Sequence, residues 1–124
     1  MLLRGLPEGA WAIVTSCGAE LARALIAHAG LPEPVLVITA DDVAQTKPSP
    51  MCYLAAAKAL GKLPGACLVV EDSRAGVMAG KAAGMTVLAI TGTRTQRFDA
   101  ADRCVPALTE LRLEKNEDGT IALR

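Results

Sequence analysis

Aromatic side chains are scarce here: one Trp, one Tyr and one Phe make up 2% of a sequence in which 52% of residues are hydrophobic. Any core must therefore be built from Ala, Val, Leu and Ile. Excess charge is missing too. Thirteen basic and thirteen acidic residues cancel, which leaves no electrostatic footprint for nucleic acid or for an anionic membrane surface. No apolar run approaches the ~20 residues of a membrane span. The opening "MLLRGLPEGAW" has too short an apolar stretch for a signal peptide, so the expected location is the cytoplasm.

Close cysteine pairs are also lacking. Cys17, Cys52, Cys67 and Cys104 contain no C-x-x-C spacing, which argues against a zinc site. Each sits among apolar or small residues and reads as a buried free thiol in a reducing compartment. His28 is the only histidine and lies inside a helical pattern, leaving a Ser-His-Asp or Cys-His mechanism without a well-placed base. Neither G-x-G-x-x-G nor G-x-x-x-x-G-K-[ST] occurs, which disfavours a nucleotide-binding domain.

What is present is a regular alternation. The 124 residues suit a single domain, residues 1–124. "WAIVT" (11–15), "VLVIT" (35–39), "CLVVE" (67–71) and "MTVLAIT" (85–91) are short apolar runs of the kind buried on both faces. Between them, residues 18–29 carry apolar positions at helical spacing and Gly30 closes that helix. A second helix follows "KPSP", with Ser49 as N-cap, Pro50 in the first position and Gly61 as stop. Asp72 or Ser73 caps a third helix that ends near Gly84. Alternating strands and helices predict an α/β fold: a three-layer, Rossmann-like parallel sheet core. "DRCVPALTEL" reads as a short strand and turn, and "LRLEKNEDGTIALR" as a C-terminal β-hairpin around Asp118-Gly119.

In an open parallel sheet, ligands gather beyond the carboxyl ends of the strands. There the first strand ends in Thr15-Ser16, the second leads through "TADDVAQT" to Lys47, and the third ends in Glu71-Asp72. A hydroxyl, an ammonium and a carboxylate pair at one edge suit a phosphoryl group and a hard cation. Helices that begin just after strands one and three add their positive ends. Each residue also has a plain structural use: Thr in a strand, Lys in a loop, acids as a helix cap. Gly76, Gly80 and Gly84, at every fourth position, read as a flat helix face laid close on the sheet.

In this order, "IVTS", "KPSP" and "VVEDSRAGVMAGKAAGM" resemble the haloacid dehalogenase superfamily, and within it the sugar-phosphatase and β-phosphoglucomutase-like branch. The likeness runs from about Trp11 to Leu111. It implies that Thr15 is a phosphate ligand with Ser16 adding a backbone N–H, and that Lys47 is the lysine that meets the phosphoryl charge. It also implies that Asp72 holds Mg²⁺, with Glu71 in or just behind the metal shell. The implied substrate is a small phosphorylated metabolite such as a sugar phosphate.

The same resemblance exposes a gap. Members of that family begin with a strand ending in Asp-x-Asp-Gly-Thr, whose first Asp is the nucleophile, and insert a substrate-selecting cap after it. Only ten residues precede Trp11 and none is Asp, so about 80 to 100 residues of the family pattern lie outside this sequence. "NEDGT" (116–120) matches the end of that motif, but it carries Asn116 at the nucleophile position and reads as a hairpin turn. The implied missing strand would lie between those ending in Thr15 and Asp72. Those two must then pair directly, or another segment, a second copy or a complementing chain must fill the space. The expectation is a phosphatase scaffold, weak or inactive alone. The alternatives are one half of a split enzyme, or a non-catalytic phosphate-binding or oligomerising remnant. A response-regulator receiver uses similar residues but in another order, acids first and lysine last.

Overall fold

The structure is a computed structural model that describes residues 5–7, 9–32, 34–92, 98–117 and 121–123. The four apolar runs become parallel strands and the helical-period segments become their connections. In chain order these are β1 (Ile13–Val14), α1 (Ala19–Ala29), β2 (Val37–Ile38), α2 (Met51–Leu60), β3 (Leu68–Glu71), α3 (Arg74–Ala82) and β4 (Thr86–Ile90), followed by β5 (Arg103–Val105), β6 (Leu113–Lys115) and β7 (Ile121–Leu123). The fold is α/β with parallel sheets, as the alternation predicts.

The ends of the helices follow local chemistry. Gly30 and Gly61 close α1 and α2 with positive φ of 65° and 70°, a conformation that costs glycine little. Ser73 caps α3, its hydroxyl accepting the Gly76 N–H at 3.0 Å. Helix α2 starts one residue later than expected, with Pro50 rather than Ser49 at the cap position. Ser49 still helps, since its Oγ accepts the Met51 N–H at 3.3 Å.

Helix α3 lies directly on β3 and β4 because of one glycine. A Cβ at Gly80 would stand 2.7 Å from Val87 Cγ2 and 3.2 Å from Val69 Cγ2. Behind it, Val77, Val87, Val69 and Ala89 form a core shared with Tyr53 and Cys52 of α2. Full burial of a valine side chain stabilises by about 1.5–3 kcal/mol, so this aliphatic layer is the main support of the fold. A smaller cluster of Leu88, Val105 and Leu111 covers the other side of β4.

The single sheet that the alternation predicts is split. β1 pairs only with β2, in register Ile13 with Val37 and Val14 with Ile38, and β3–β4–β5 form a separate parallel sheet. β1 and β3 therefore do not pair directly. With one neighbour each, β1 and β2 keep a ladder of two residues rather than the five-residue runs read from sequence. On β3, Val69 is buried under α3 while Leu68 and Val70 on the opposite side remain 43% and 40% exposed.

Three further expectations are refined. All four cysteines are free thiols, but only Cys52 is buried. His28 is exposed in the last turn of α1. The C-terminal hairpin is present as β6 antiparallel to β7, separate from the other sheets, and its turn, residues 118–120, lies outside the described residues. Among the described residues no helix is long and apolar enough to cross a membrane.

Candidate functional site

The ladder between β1 and β2 sets which way each backbone group on β1 points. Ile13 N–H and Thr15 N–H donate to Leu36 and Ile38 carbonyls. In a parallel pair alternate residues turn their backbone groups to opposite edges, so the Val14 carbonyl faces away from β2, toward the space between the two sheets. Lys47 reaches into that space. Its Nζ donates to Val14 O at 3.2 Å and to Glu71 Oε1 at 2.6 Å. One ammonium thus ties the end of β1 to the end of β3. The bond joining Lys47 to Pro48 is cis.

Glu71 is held by more than the lysine. Tyr53 OH donates to the same Oε1 at 2.9 Å, and Ser73 Oγ donates to Oε2 at 3.0 Å. The Lys47 ammonium also lies 5.2 Å from the centroid of the Tyr53 ring, within reach of a cation–π attraction. Both members of the ion pair are nearly buried, with side chains 10% and 9% exposed. Burial alone would push the Glu71 carboxyl up. The hydrogen bonds from Lys47, Tyr53 and Ser73 and the lysine charge outweigh it and hold the carboxyl below its ordinary value. Burial and the neighbouring Glu71 charge push the Tyr53 phenol far up, so it stays a neutral donor. Burial also raises the Cys52 thiol, against the opposing charge of Lys47.

Gly76 makes this arrangement possible. A Cβ there would collide with the Glu71 carboxylate. The expected role of this glycine, close approach to the sheet, is thus met by Gly80, while Gly76 leaves room for a charged side chain.

The remaining residues read from the sequence are placed as follows. Thr15 directly follows β1, half-buried, and its Oγ1 accepts the Cys17 N–H at 3.1 Å. Ser16 is exposed beside it. Asp72 follows Glu71, is exposed, and lines a groove of about 280 Å³ with Val70, Glu71, Ile90 and Leu108. Asp72 has no hydrogen-bond or ion-pair partner among the described residues. The structure therefore brings Lys47 to Glu71 directly and sets Thr15 and Asp72 on the two strand ends that Lys47 connects. The helix ends are less open than expected. Ala19 N–H at the start of α1 donates to Asp41 Oδ2 at 2.8 Å, so a carboxylate from the β2 side already occupies part of that positive end.

A hard cation would need oxygen ligands here. Mg²⁺ is commonly held by one or two carboxylates together with water and phosphate oxygens, and Asp72 offers one such carboxylate. Among the described residues no group of three His, Cys, Asp or Glu side chains converges. Asp72 fits as a single protein ligand, while both oxygens of Glu71 are taken by donors. Tyr53 and Gly76 are the residues that sequence reasoning missed as part of the site. The available signal was their spacing from the motifs: Tyr53 stands six positions after Lys47, and Gly76 three after the cap of α3.

The model of the family described as haloacid dehalogenase-like hydrolase matches residues 2–84. Hexitol phosphatase A of Escherichia coli (strain K12) is 40% identical over 121 residues, covering 97% of this chain and 55% of that protein. The crystal structure of CbbY from Rhodobacter sphaeroides in complex with phosphate aligns with a TM-score of 0.70 at 31% identity, over 77% of this chain and 45% of that one. A family hydrolase from Deinococcus radiodurans R1 with bound phosphate and sodium aligns with a TM-score of 0.72 at 30% identity, over 80% and 48%. The chain spans about half the length, or less, of the curated relatives it matches.

Proposed function

The chain belongs to the haloacid dehalogenase-like hydrolase family, and from that premise we propose that it is the phosphoryl-binding part of a Mg²⁺-dependent phosphatase for a small phosphorylated metabolite such as a sugar phosphate. The observation that carries the reading is the position of Lys47, whose ammonium joins the ends of β1 and β3 next to Thr15 and Asp72. A cation fixed between a strand-end hydroxyl and a strand-end carboxylate is where a phosphate dianion would be stabilised. Thr15 Oγ1 and the Ser16 N–H would bind its oxygens, and Lys47 would neutralise its charge. Asp72 would hold Mg²⁺, with Glu71 standing behind it as the anchor of Lys47. Bound there, Mg²⁺ would supply charge stabilisation to the transferring phosphoryl group. Relatives named as phosphatases, and structures holding phosphate, support the substrate class. Four free thiols suit a cytoplasmic setting.

These 124 residues contain no Asp-x-Asp-Gly-Thr, and the site as built offers no activated nucleophile. The reading is therefore that this polypeptide binds the phosphoryl group but turns it over weakly or not at all by itself. A strand from a complementing polypeptide, set between β1 and β3, would complete the sheet and bring the missing carboxylate. The exposed Leu68 and Val70, on the face of β3 opposite α3, are apolar surface that such a partner would cover. They equally favour the second reading, a non-catalytic module that binds phosphate or oligomerises.

The test is Mg²⁺-dependent hydrolysis of p-nitrophenyl phosphate by the purified chain beside Asp72→Ala, with calorimetric titration of inorganic phosphate. Phosphate binding with no turnover above the variant is the expected result. Turnover that disappears in Asp72→Ala would show a nucleophile within the chain. Failure to bind phosphate would remove the phosphoryl-site reading.

A further inference from the structure

We propose that Tyr53 is a positioning residue for Lys47: its hydroxyl fixes the Glu71 carboxylate and its ring faces the ammonium, so that one side chain of α2 aims the lysine at the strand ends. The proposal rests on the reading of Lys47 as the phosphate-facing cation, and the geometry behind it is local. Glu71 is gripped at two points by donors from two different elements. Tyr53 of α2 holds Oε1 and Ser73, at the start of α3, holds Oε2. Lysine is the flexible member of the set, with four rotatable carbons between backbone and charge. It shares Oε1 with the tyrosine and is held there at 2.6 Å, with the ring 5.2 Å away. Take away the hydroxyl, and Oε1 is left with the flexible lysine alone, so the carboxylate can swing about its bond to Ser73 and carry the lysine with it. The ammonium would then follow it away from Val14 O. Tyr53 is itself 7% exposed, so α2 packing sets its place and the ring cannot drift with the lysine.

Tyr53→Phe keeps the ring and removes the hydroxyl, and Tyr53→Leu removes both. The readout is the rate at which individual lysines of the whole chain react with acetic anhydride, resolved by peptide mass spectrometry. Lys58 and Lys62 are exposed and serve as internal references. In the unaltered chain Lys47 should label more slowly than either. Tyr53→Phe should raise its rate about fivefold, the scale of one net intramolecular hydrogen bond. Tyr53→Leu should raise it about twentyfold, since the cation–π contact is lost as well. Lys58 and Lys62 should not change. An unchanged Lys47 rate in the Phe variant would overturn the proposal. So would a parallel rise at all three lysines, because that is what mere loss of packing produces.

Should the Leu variant not fold, the unaltered chain still decides. The ε-methylene proton resonances of Lys47 should be shifted upfield by the ring, and unshifted resonances would refute the placement. Adding inorganic phosphate separates the two readings. If phosphate does not slow labelling of Lys47 in the unaltered chain, the phosphoryl-site reading falls, while the Tyr53 result stands on the labelling rates alone.

Discussion

A nearly buried carboxylate must find donors, and Glu71 finds three, on residues 47, 53 and 73 from three different parts of the fold. The adjacent acids Glu71 and Asp72 are therefore not equivalent. One faces inward to a cation, while the other faces the groove. Gly76 is the residue that this inward turn demands. Gly76→Ala should destabilise the chain by about 1–3 kcal/mol, the cost of overpacking, despite alanine's better helix propensity. In a Glu71→Ala background the collision is gone, and the same substitution should be neutral or stabilising by up to about 1 kcal/mol. Urea denaturation of the four proteins measures that coupling; additive effects would show that Gly76 is not there for Glu71. Thr15, Lys47 and Asp72 could be read as candidates because each follows a recognisable strand or precedes a recognisable helix. Tyr53 could not, since its hydroxyl meets Glu71 only when α2, packed on β1, β2 and α3, brings it to the end of β3.

At the scale of elements, local caps and short-range ties hold the parallel layers in register. Lys81 of α3 donates to the Met85 carbonyl at 3.2 Å and to Asp102 at 2.9 Å. Asp102 accepts the Val87 N–H at 2.7 Å, and its own N–H returns to the Val87 carbonyl at 2.9 Å. One exposed aspartate thus joins α3, β4 and the approach to β5. The hydrogen bond from Lys81, helped by that from Val87 N–H, holds its carboxyl below the ordinary value. A carboxyl lowered in the folded state adds stability above its unfolded pKa, near 4. That contribution is lost as pH falls through the lowered folded value. Acid unfolding followed by circular dichroism should show Asp102→Asn less stable than the unaltered chain at pH 7, with the two curves converging as pH falls through the lowered folded value. Curves that stay parallel to the lowest pH would show that the aspartate acts by shape rather than by charge. The order of these elements was legible from periodicity and glycine stops. Strand lengths were not, because pairing partners decide how far a ladder runs.

For the whole molecule the decisive feature is the split between β1–β2 and β3–β4–β5, bridged at one end by Lys47. Backbone groups on the inner edge of β1 face that space. Amide hydrogen exchange should therefore be fast at Val14, and at least about a hundredfold slower at Val87 and Ala89 in the middle of the larger sheet. Equal protection at Val14 would mean that the space is filled in solution, by a second copy or by rearrangement, and light scattering would tell these apart. The sequence by itself determined the α/β alternation, the ends of the helices and the hydroxyl, lysine and acid at successive strand ends. Those depend on neighbours within a few residues and on a period of burial. Only the tertiary structure decided that the sheet divides, that Glu71 turns to Lys47 while Asp72 stays exposed, and that Tyr53 holds the pair. Such choices are made by groups brought together from different elements, where burial obliges each donor and acceptor to find its partner in space.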